Sequence, residues 1–180
     1  MGCRFFKIFL LILLGVPYFS ILCESQEFNM IKNGNFENRL ADWQKTGNVK
    51  IIEDVSSGEK SAELLLTESS GYEILSQTVS GIQGNRSYYL EGWIKSSGGF
   101  CALLSVIWIG NDKMEETVIW FTYEDTKDYI MVIKSIPAPS YAKSARIKIQ
   151  AQWGYMPPNS NMSYNMQIKN FKFIDISDIQ

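Results

Sequence analysis

Residues 145–155 read ARIKIQAQWGY, and this alternation decides the fold class. Apolar residues at every second position alternate with long polar ones, which is typical of a strand with one face in a core. The apolar set is Ile147, Ile149, Ala151 and Trp153, and the polar set is Arg146, Lys148, Gln150 and Gln152. The stretch therefore predicts a β-strand that carries a row of polar side chains on its outer face.

Strand patterns recur in four earlier segments that are rich in Val, Ile, Tyr and Trp. They read SYYLEGWIKS, CALLSVIWIG, ETVIWFTYE and YIMVIKSIP, and turn-forming sequences such as SSGG, GNDK and PAPSYAKS separate them. No stretch keeps a helical period over three turns. The sequence therefore predicts an all-β fold, a two-sheet antiparallel β-sandwich, in one domain over residues 26–180.

The segment SYYLEGWIKS, residues 87–96, also divides into two faces. Tyr88, Leu90 and Ile94 form its predicted core side, whereas Tyr89, Glu91, Trp93 and Lys95 form its outer side. The next two segments are apolar on both faces. They leave open whether Trp108 or Trp120 shares the outer surface.

Residues 1–25 are expected to be a secretory signal peptide. Arg4 and Lys7 precede the apolar run IFLLILLGV, residues 8–16, which is shorter than the roughly 20 residues that span a bilayer. A signal anchor is the alternative. Cleavage after Ser25 predicts a secreted or extracellular protein with no membrane insertion.

Composition excludes several classes of function. Histidine is absent, which removes Ser-His-Asp and Cys-His catalysis and histidine-ligated zinc. The formal net charge of −2 gives no reason to expect nucleic acid as a partner. Once Cys3 and Cys23 leave with the signal peptide, Cys101 remains without a disulfide partner and is expected to be a small buried side chain.

The stretch NMIKNGNFENRLADWQ, residues 29–44, opens the predicted domain with a recognisable pattern. Its Asn-Gly-x-Phe-Glu and the following Trp are Asn33, Gly34, Phe36, Glu37 and Trp43. GEKSAELLL, QTVSGIQGNRSYYLEGWIKS and YNMQIKNFKFIDI follow in that order. Over nearly all of the mature chain, these elements resemble a carbohydrate-binding module of the galactose-binding-domain-like jelly-roll type, the kind appended to xylanases and glucanases. The resemblance implies that the opening stretch folds onto the last strand.

In such modules the opening Glu commonly binds a structural calcium together with an Asp of the closing strand. Glu37 matches the first ligand, but Lys169 and Asn170 stand where the family usually has Asp followed by Asp or Asn. A lysine ammonium only donates hydrogen bonds and cannot ligate calcium. We expect Lys169 to replace the metal and to pair with Glu37, so that no cofactor is bound. The alternative is that Asp175 or backbone carbonyls rebuild a calcium site.

The resemblance implies that a polysaccharide or glycan binds to an aromatic and polar concave sheet face. Aromatic rings stack on sugars, and amide, carboxylate and guanidinium groups bond the hydroxyls. The candidate carbohydrate-binding residues are Trp93, Glu91, Gln150, Gln152, Arg146, Trp120 and Tyr155. Any of these Trp residues could instead be packing, and packing is what we expect of Trp153 and Trp43.

Two other classes of function stay open. The same sandwich suits a cell-surface adhesion or assembly protein that holds another protein. A small glycan hydrolase needs two carboxyl groups about 5–5.5 or 6.5–9.5 Å apart. Candidate pairs are Glu53–Asp54, Glu115–Glu116 and Asp125–Asp128. They lie in predicted turns or at strand edges, where charge is usually solvated, so we expect a non-catalytic binding domain. We also expect the protein to be a monomer.

Overall fold

The computed structural model describes residues 28–67, 70–97, 101–153 and 164–177. The expected signal peptide and Tyr155 lie outside these ranges. The described strands are β1 (Gln44–Thr46), β2 (Val49–Glu53), β3 (Lys60–Leu66), β4 (Tyr72–Ser80), β5 (Ser87–Ser97), β6 (Cys101–Gly110), β7 (Lys113–Thr122), β8 (Ile130–Pro137), β9 (Ser144–Gln152) and β10 (Tyr164–Asp175).

The strands form two five-stranded sheets, and every pairing between neighbouring strands is antiparallel. One sheet has the order β1-β4-β9-β6-β7 and is called the β9 sheet after its central strand. The other has the order β2-β3-β10-β5-β8 and is called the β10 sheet. Within the described ranges, no helix is long and apolar enough to cross a membrane. The predicted all-β jelly-roll sandwich is confirmed.

The core lies between the sheets and follows the predicted alternation. In β9, Ile147, Ile149 and Ala151 are fully buried, and their polar neighbours are partly exposed. In β5 the predicted core residues Tyr88, Leu90 and Ile94 are also fully buried. Three of the largest fully buried side chains in this core are aromatic and in contact, with the Tyr88 ring stacked 5.2 Å from Phe173 and 5.9 Å from Trp108.

The opening stretch folds onto the last strand, as predicted, but through turns rather than as a strand. The backbone N–H of Met30 donates to the carbonyl of Phe173 at 2.8 Å, and that of Phe171 donates to Gly34 at 3.0 Å. The approach is so close that a Cβ on Gly34 would lie 2.1 Å from the Phe171 carbonyl oxygen. Only glycine fits at this crossing.

A bulge in β10 receives the opening stretch. The register with β5 shifts between Lys169 and Lys172, and Asn170 has a left-handed φ of 55°. The shift turns the ring of Phe171 into the core, where it is 1% exposed and covers Gly92 of β5. Trp43 packs edge-on against Phe171 at 6.5 Å. Trp43 therefore closes one end of the core, as expected from sequence.

Candidate functional site

The predicted site residues divide between the two outer surfaces of the sandwich. Trp93 and Glu91 belong to β5 of the β10 sheet, whereas Gln150, Gln152 and Arg146 belong to β9. All five alternate with buried residues, so they point away from the core. The outer surfaces of two packed sheets face opposite directions. The prediction that Trp93 shares a face with the two glutamines is therefore wrong.

Trp120 does not belong to either outer surface. It pairs across strands with Leu104, which is fully buried, and it packs against the core. Because β7 is an edge strand, the ring remains half-buried. Trp108 is fully buried, so neither ring left open by the sequence lies on the outer face. Phe121 does so instead: it pairs with the outward-facing Leu103 and is 60% exposed.

Two rows of side chains cross the outer face of the β9 sheet at Gln150 and Gln152. Gln150 lies between Ile74 of β4 and Leu103 of β6. Gln152 lies between Tyr72 of β4 and Cys101 of β6. The Gln150 side-chain amide donates to the Gln152 carbonyl oxygen at 2.5 Å. The two amides therefore form one connected polar unit in the middle of an otherwise apolar floor.

Exposed aromatic rings flank this floor. Tyr72 is 51% exposed on one side, and Phe121 and Tyr123 are 60% and 50% exposed on the other. The Phe121 and Tyr123 rings meet edge to face at 6.3 Å. Tyr72 and Phe121 stand three strand intervals apart, which corresponds to about 14 Å. The face therefore has exposed rings at its two sides and an amide pair on its floor.

Charged residues continue the face along β9. Lys148 pairs with Glu116 of β7 at 2.6 Å, and the Ser105 hydroxyl donates to the same carboxylate at 2.5 Å. Partial burial acts to raise the pKa of Glu116, but the hydrogen bonds from Lys148 and Ser105 outweigh it and lower that pKa. Beyond this pair, the Nε of Arg146 is buried without a hydrogen-bond partner in the described part of the chain. Arg146 thus retains an unused donor.

The outer face of the β10 sheet holds the other predicted residues. Trp93 lies between Lys169 of β10 and Met131 of β8. Glu91 accepts a hydrogen bond from Tyr89 at 3.1 Å and pairs with Lys172 at 3.3 Å. Glu91 is therefore already engaged by contacts within its own sheet.

The predicted ion pair between Glu37 and Lys169 is not formed, and that prediction is wrong. Glu37 pairs with Lys60 at 3.0 Å, whereas Lys169 pairs with Glu59. The pair does not form because the Lys169 side chain points away from Glu37: Lys169 lies opposite Trp93 and projects from the outer face of the β10 sheet. Glu37 instead reaches the first residue of β3.

The residues around Glu37 do not fit a calcium ion. Calcium takes six or more oxygen ligands, and the nearest charged partner of Glu37 is an ammonium group. Asp175, the alternative ligand, pairs with Arg86 at 3.0 Å. No group of three or more Cys, Asp or Glu residues suited to a metal occurs within the described ranges. Absence of bound calcium stays a prediction.

Sequence reasoning missed the aromatic sides of the β9 face. Tyr72 starts YEILSQTVS, in which Leu75 and Val79 carry a core-facing period that places Tyr72 outward. That signal was available. Phe121 was hidden because β6 and β7 shift register between Leu104 and Ser105, and such a shift exchanges the two faces of a strand.

Comparison with known proteins agrees with this architecture. The family model described as "Carbohydrate binding domain" matches residues 28–161. No curated protein matches the chain by sequence.

Solved structures give the fold. A family 16 carbohydrate-binding module has a TM-score of 0.61 at 18% identity, covering 82% of this chain and 100% of that one. A family 61 module in complex with β-1,4-galactotriose has a TM-score of 0.55 at 20% identity, covering 82% and 99%. The enzymatically active domain of tailspike protein 4 from bacteriophage CBA120 has a TM-score of 0.63 at 17% identity. The match covers 82% of this chain and only 21% of that tailspike chain. The family model covers most of the chain and the fold agrees, so this chain belongs to the carbohydrate-binding domain family.

Proposed function

We propose that this chain is a secreted, non-catalytic domain that binds a neutral polysaccharide on the outer face of the β9 sheet. One observation carries the proposal. The linked amides of Gln150 and Gln152 lie on the floor of that face, between exposed aromatic rings at Tyr72 and at Phe121. This is the combination that a sugar requires, since it has apolar C–H surfaces and a rim of hydroxyl groups.

The amide pair leaves hydrogen-bonding capacity for a ligand. A glutamine carries two donors and one acceptor group. Gln150 uses one donor and Gln152 one acceptor position in their mutual bond. No other described residue bonds these side chains, so their remaining N–H groups and the Gln150 carbonyl are available to sugar hydroxyls. The rings add apolar contact, with aromatic contacts contributing about 0.5–1.5 kcal/mol beyond the burial of area.

A neutral β-1,4-linked chain is the proposed ligand class. Lys148 and Glu116, the charges next to the amides, neutralise each other, and Arg146 lies four residues from Gln150 along β9. The solved family 61 module holds β-1,4-galactotriose, and a similar family 22 module is described as a xylan-binding domain. These ligands supply the first sugars to test.

Secretion is supported by the basic and apolar leader at residues 1–25. The engagement of Glu116 by Lys148 and Ser105 argues against a catalytic carboxyl pair on this face. The lack of histidine separately removes histidine-dependent nucleophilic catalysis. Incubation with xylan or β-1,4-galactan should therefore release no reducing sugar. Release of reducing ends in proportion to protein concentration would contradict the non-catalytic assignment.

The binding face is tested by isothermal titration with β-1,4-galactotriose and xylohexaose. Gln150→Ala should weaken binding about tenfold, because a ligand group loses its buried partner. Gln167→Ala is the matched control, since Gln167 projects from the β10 sheet, and it should leave the affinity unchanged. Weaker glycan binding by Gln167→Ala, with unchanged binding by Gln150→Ala, would contradict the proposal and place the glycan on the β10 sheet. Binding of a protein partner without any glycan binding would favour the adhesion alternative.

A further inference from the structure

The outer face of the β10 sheet has a hollow that the proposed glycan-binding face does not use. Its volume is about 240 Å³, and it is lined by Glu59, Trp93, Tyr129, Lys169 and Asn170. It lies on the side of the sandwich opposite to Gln150 and Gln152. Two aromatic rings, an ammonium, a carboxylate and an amide thus converge on one depression.

The ammonium of Lys169 is held in place within this hollow. Lys169 and Trp93 are directly opposite each other on β10 and β5, so their side chains project from the same surface. The Lys169 Nζ lies 4.5 Å from the centre of the Tyr129 ring, which contributes a cation–π contact. The Tyr129 hydroxyl donates to Gln167 at 3.1 Å, which fixes the ring. The cation is therefore preorganised beside an indole ring.

A carboxylate of the protein itself already occupies the position next to this ammonium. Glu59 pairs with Lys169 from the connection between β2 and β3. The Glu59 side chain is 49% exposed, whereas that of Lys169 is 20% exposed. An ion pair with one solvated partner contributes little to stability. A carboxylate from a ligand can therefore replace Glu59 at small cost.

Unused polar groups surround the same position. Lys95, two residues along β5 from Trp93, forms no ion pair or hydrogen bond with any described residue, whereas Lys50 and Lys172 are paired with carboxylates. Asn170 stands at the bulge with φ of 55°, and its side-chain amide has no hydrogen-bond partner among the described residues. The hollow thus has a free amide at Asn170, and a positive charge without an ion-pair partner among the described residues lies two positions along β5 at Lys95.

We propose that this hollow is a second binding site that takes a uronic acid residue of an acidic polysaccharide. The sugar ring stacks on Trp93, its carboxylate replaces that of Glu59 on Lys169, and Asn170 bonds a hydroxyl. Lys95 adds long-range attraction for the anion. The site is separate from the neutral-glycan face and does not depend on it.

Titration with trigalacturonic acid and with its methyl ester at low salt tests the proposal. The acid should bind at least about tenfold more tightly than the ester, because only the acid forms a charge-assisted hydrogen bond with Lys169. Lys169→Met should weaken binding of the acid about tenfold. Glu59→Gln should tighten it by about threefold, because the competing carboxylate is removed. A gain of affinity is a result that a purely structural role of Glu59 does not produce.

Gln150→Ala on the opposite face is the control and should leave binding of the acid unchanged. Equal binding of acid and ester would overturn the proposal, as would weaker or unchanged binding in Glu59→Gln. Loss of trigalacturonate binding in Gln150→Ala, with Lys169→Met unaffected, would move the anion to the β9 sheet. Failure of β-1,4-galactotriose to bind would concern only the neutral-glycan face.

Discussion

The side chain of Asn29 should be worth about 3 kcal/mol of folding free energy, because it ties the opening stretch to the last strand. Its carbonyl oxygen accepts from the backbone N–H groups of Ile31 at 3.1 Å and Phe173 at 2.9 Å. Its amide donates to the Phe171 carbonyl at 3.2 Å. Each such bond contributes about 1 kcal/mol net. Asn29→Ala removes all three and leaves backbone groups of β10 without their partners.

Urea denaturation followed by tryptophan fluorescence measures this loss. A change of about 3 kcal/mol corresponds to a fall in melting temperature of roughly 6–12 °C for a domain of this size. Asn35→Ala is the matched control, because among the described residues the Asn35 side chain accepts a single exposed hydrogen bond, from the backbone N–H of Glu37 at 3.4 Å. That variant should stay within about 0.5 kcal/mol of the wild type. If Asn29→Ala is no less stable than Asn35→Ala, the opening stretch does not hold the last strand as argued.

Three further predictions concern stability. The pKa of Glu116 is lowered in the folded state, so its contribution to folding stability is full above its ordinary pKa of 4.5 and is lost as pH falls through the lowered, folded-state pKa. The urea midpoint should therefore fall on acidification below pH 4.5, and it should fall less in Glu116→Gln. Gly92→Ala places a Cβ 2.7 Å from the Phe171 ring and should destabilise by about 1–3 kcal/mol, whereas Gly71→Ala, with open space around it, should be nearly neutral in the same denaturation assay. A calcium chelator should leave the melting temperature unchanged, because a lysine already neutralises Glu37; a fall of several degrees would reveal linked metal binding.

The sequence predicted the fold class and the inward or outward direction of β5 and β9 correctly. Both strands alternate strictly, and a period of two reports which residues face a core. The same period carries no information about which sheet a strand joins. Trp93 and Gln150 were therefore grouped correctly as outward residues and wrongly as neighbours, since β5 and β9 belong to different layers.

Local irregularities limited the rest of the prediction. The register shift between β6 and β7 turns Trp120 inward and Phe121 outward, and no turn residue marks it in the sequence. The bulge at Asn170 has the same effect in β10, where it turns Phe171 into the core. Strand register depends on pairing between distant segments, so these contacts become visible only in three dimensions.

The central claim is that a neutral glycan lies on the outer face of the β9 sheet, and side-chain amide signals in an NMR titration test it most directly. On addition of β-1,4-galactotriose to ¹⁵N-labelled protein, the signals of Gln150 and Gln152 should shift together along one saturable curve. Those of Gln167, on the opposite face, should stay in place. Shifts confined to Gln167 and its neighbours, with the β9 glutamines unmoved, would contradict the account.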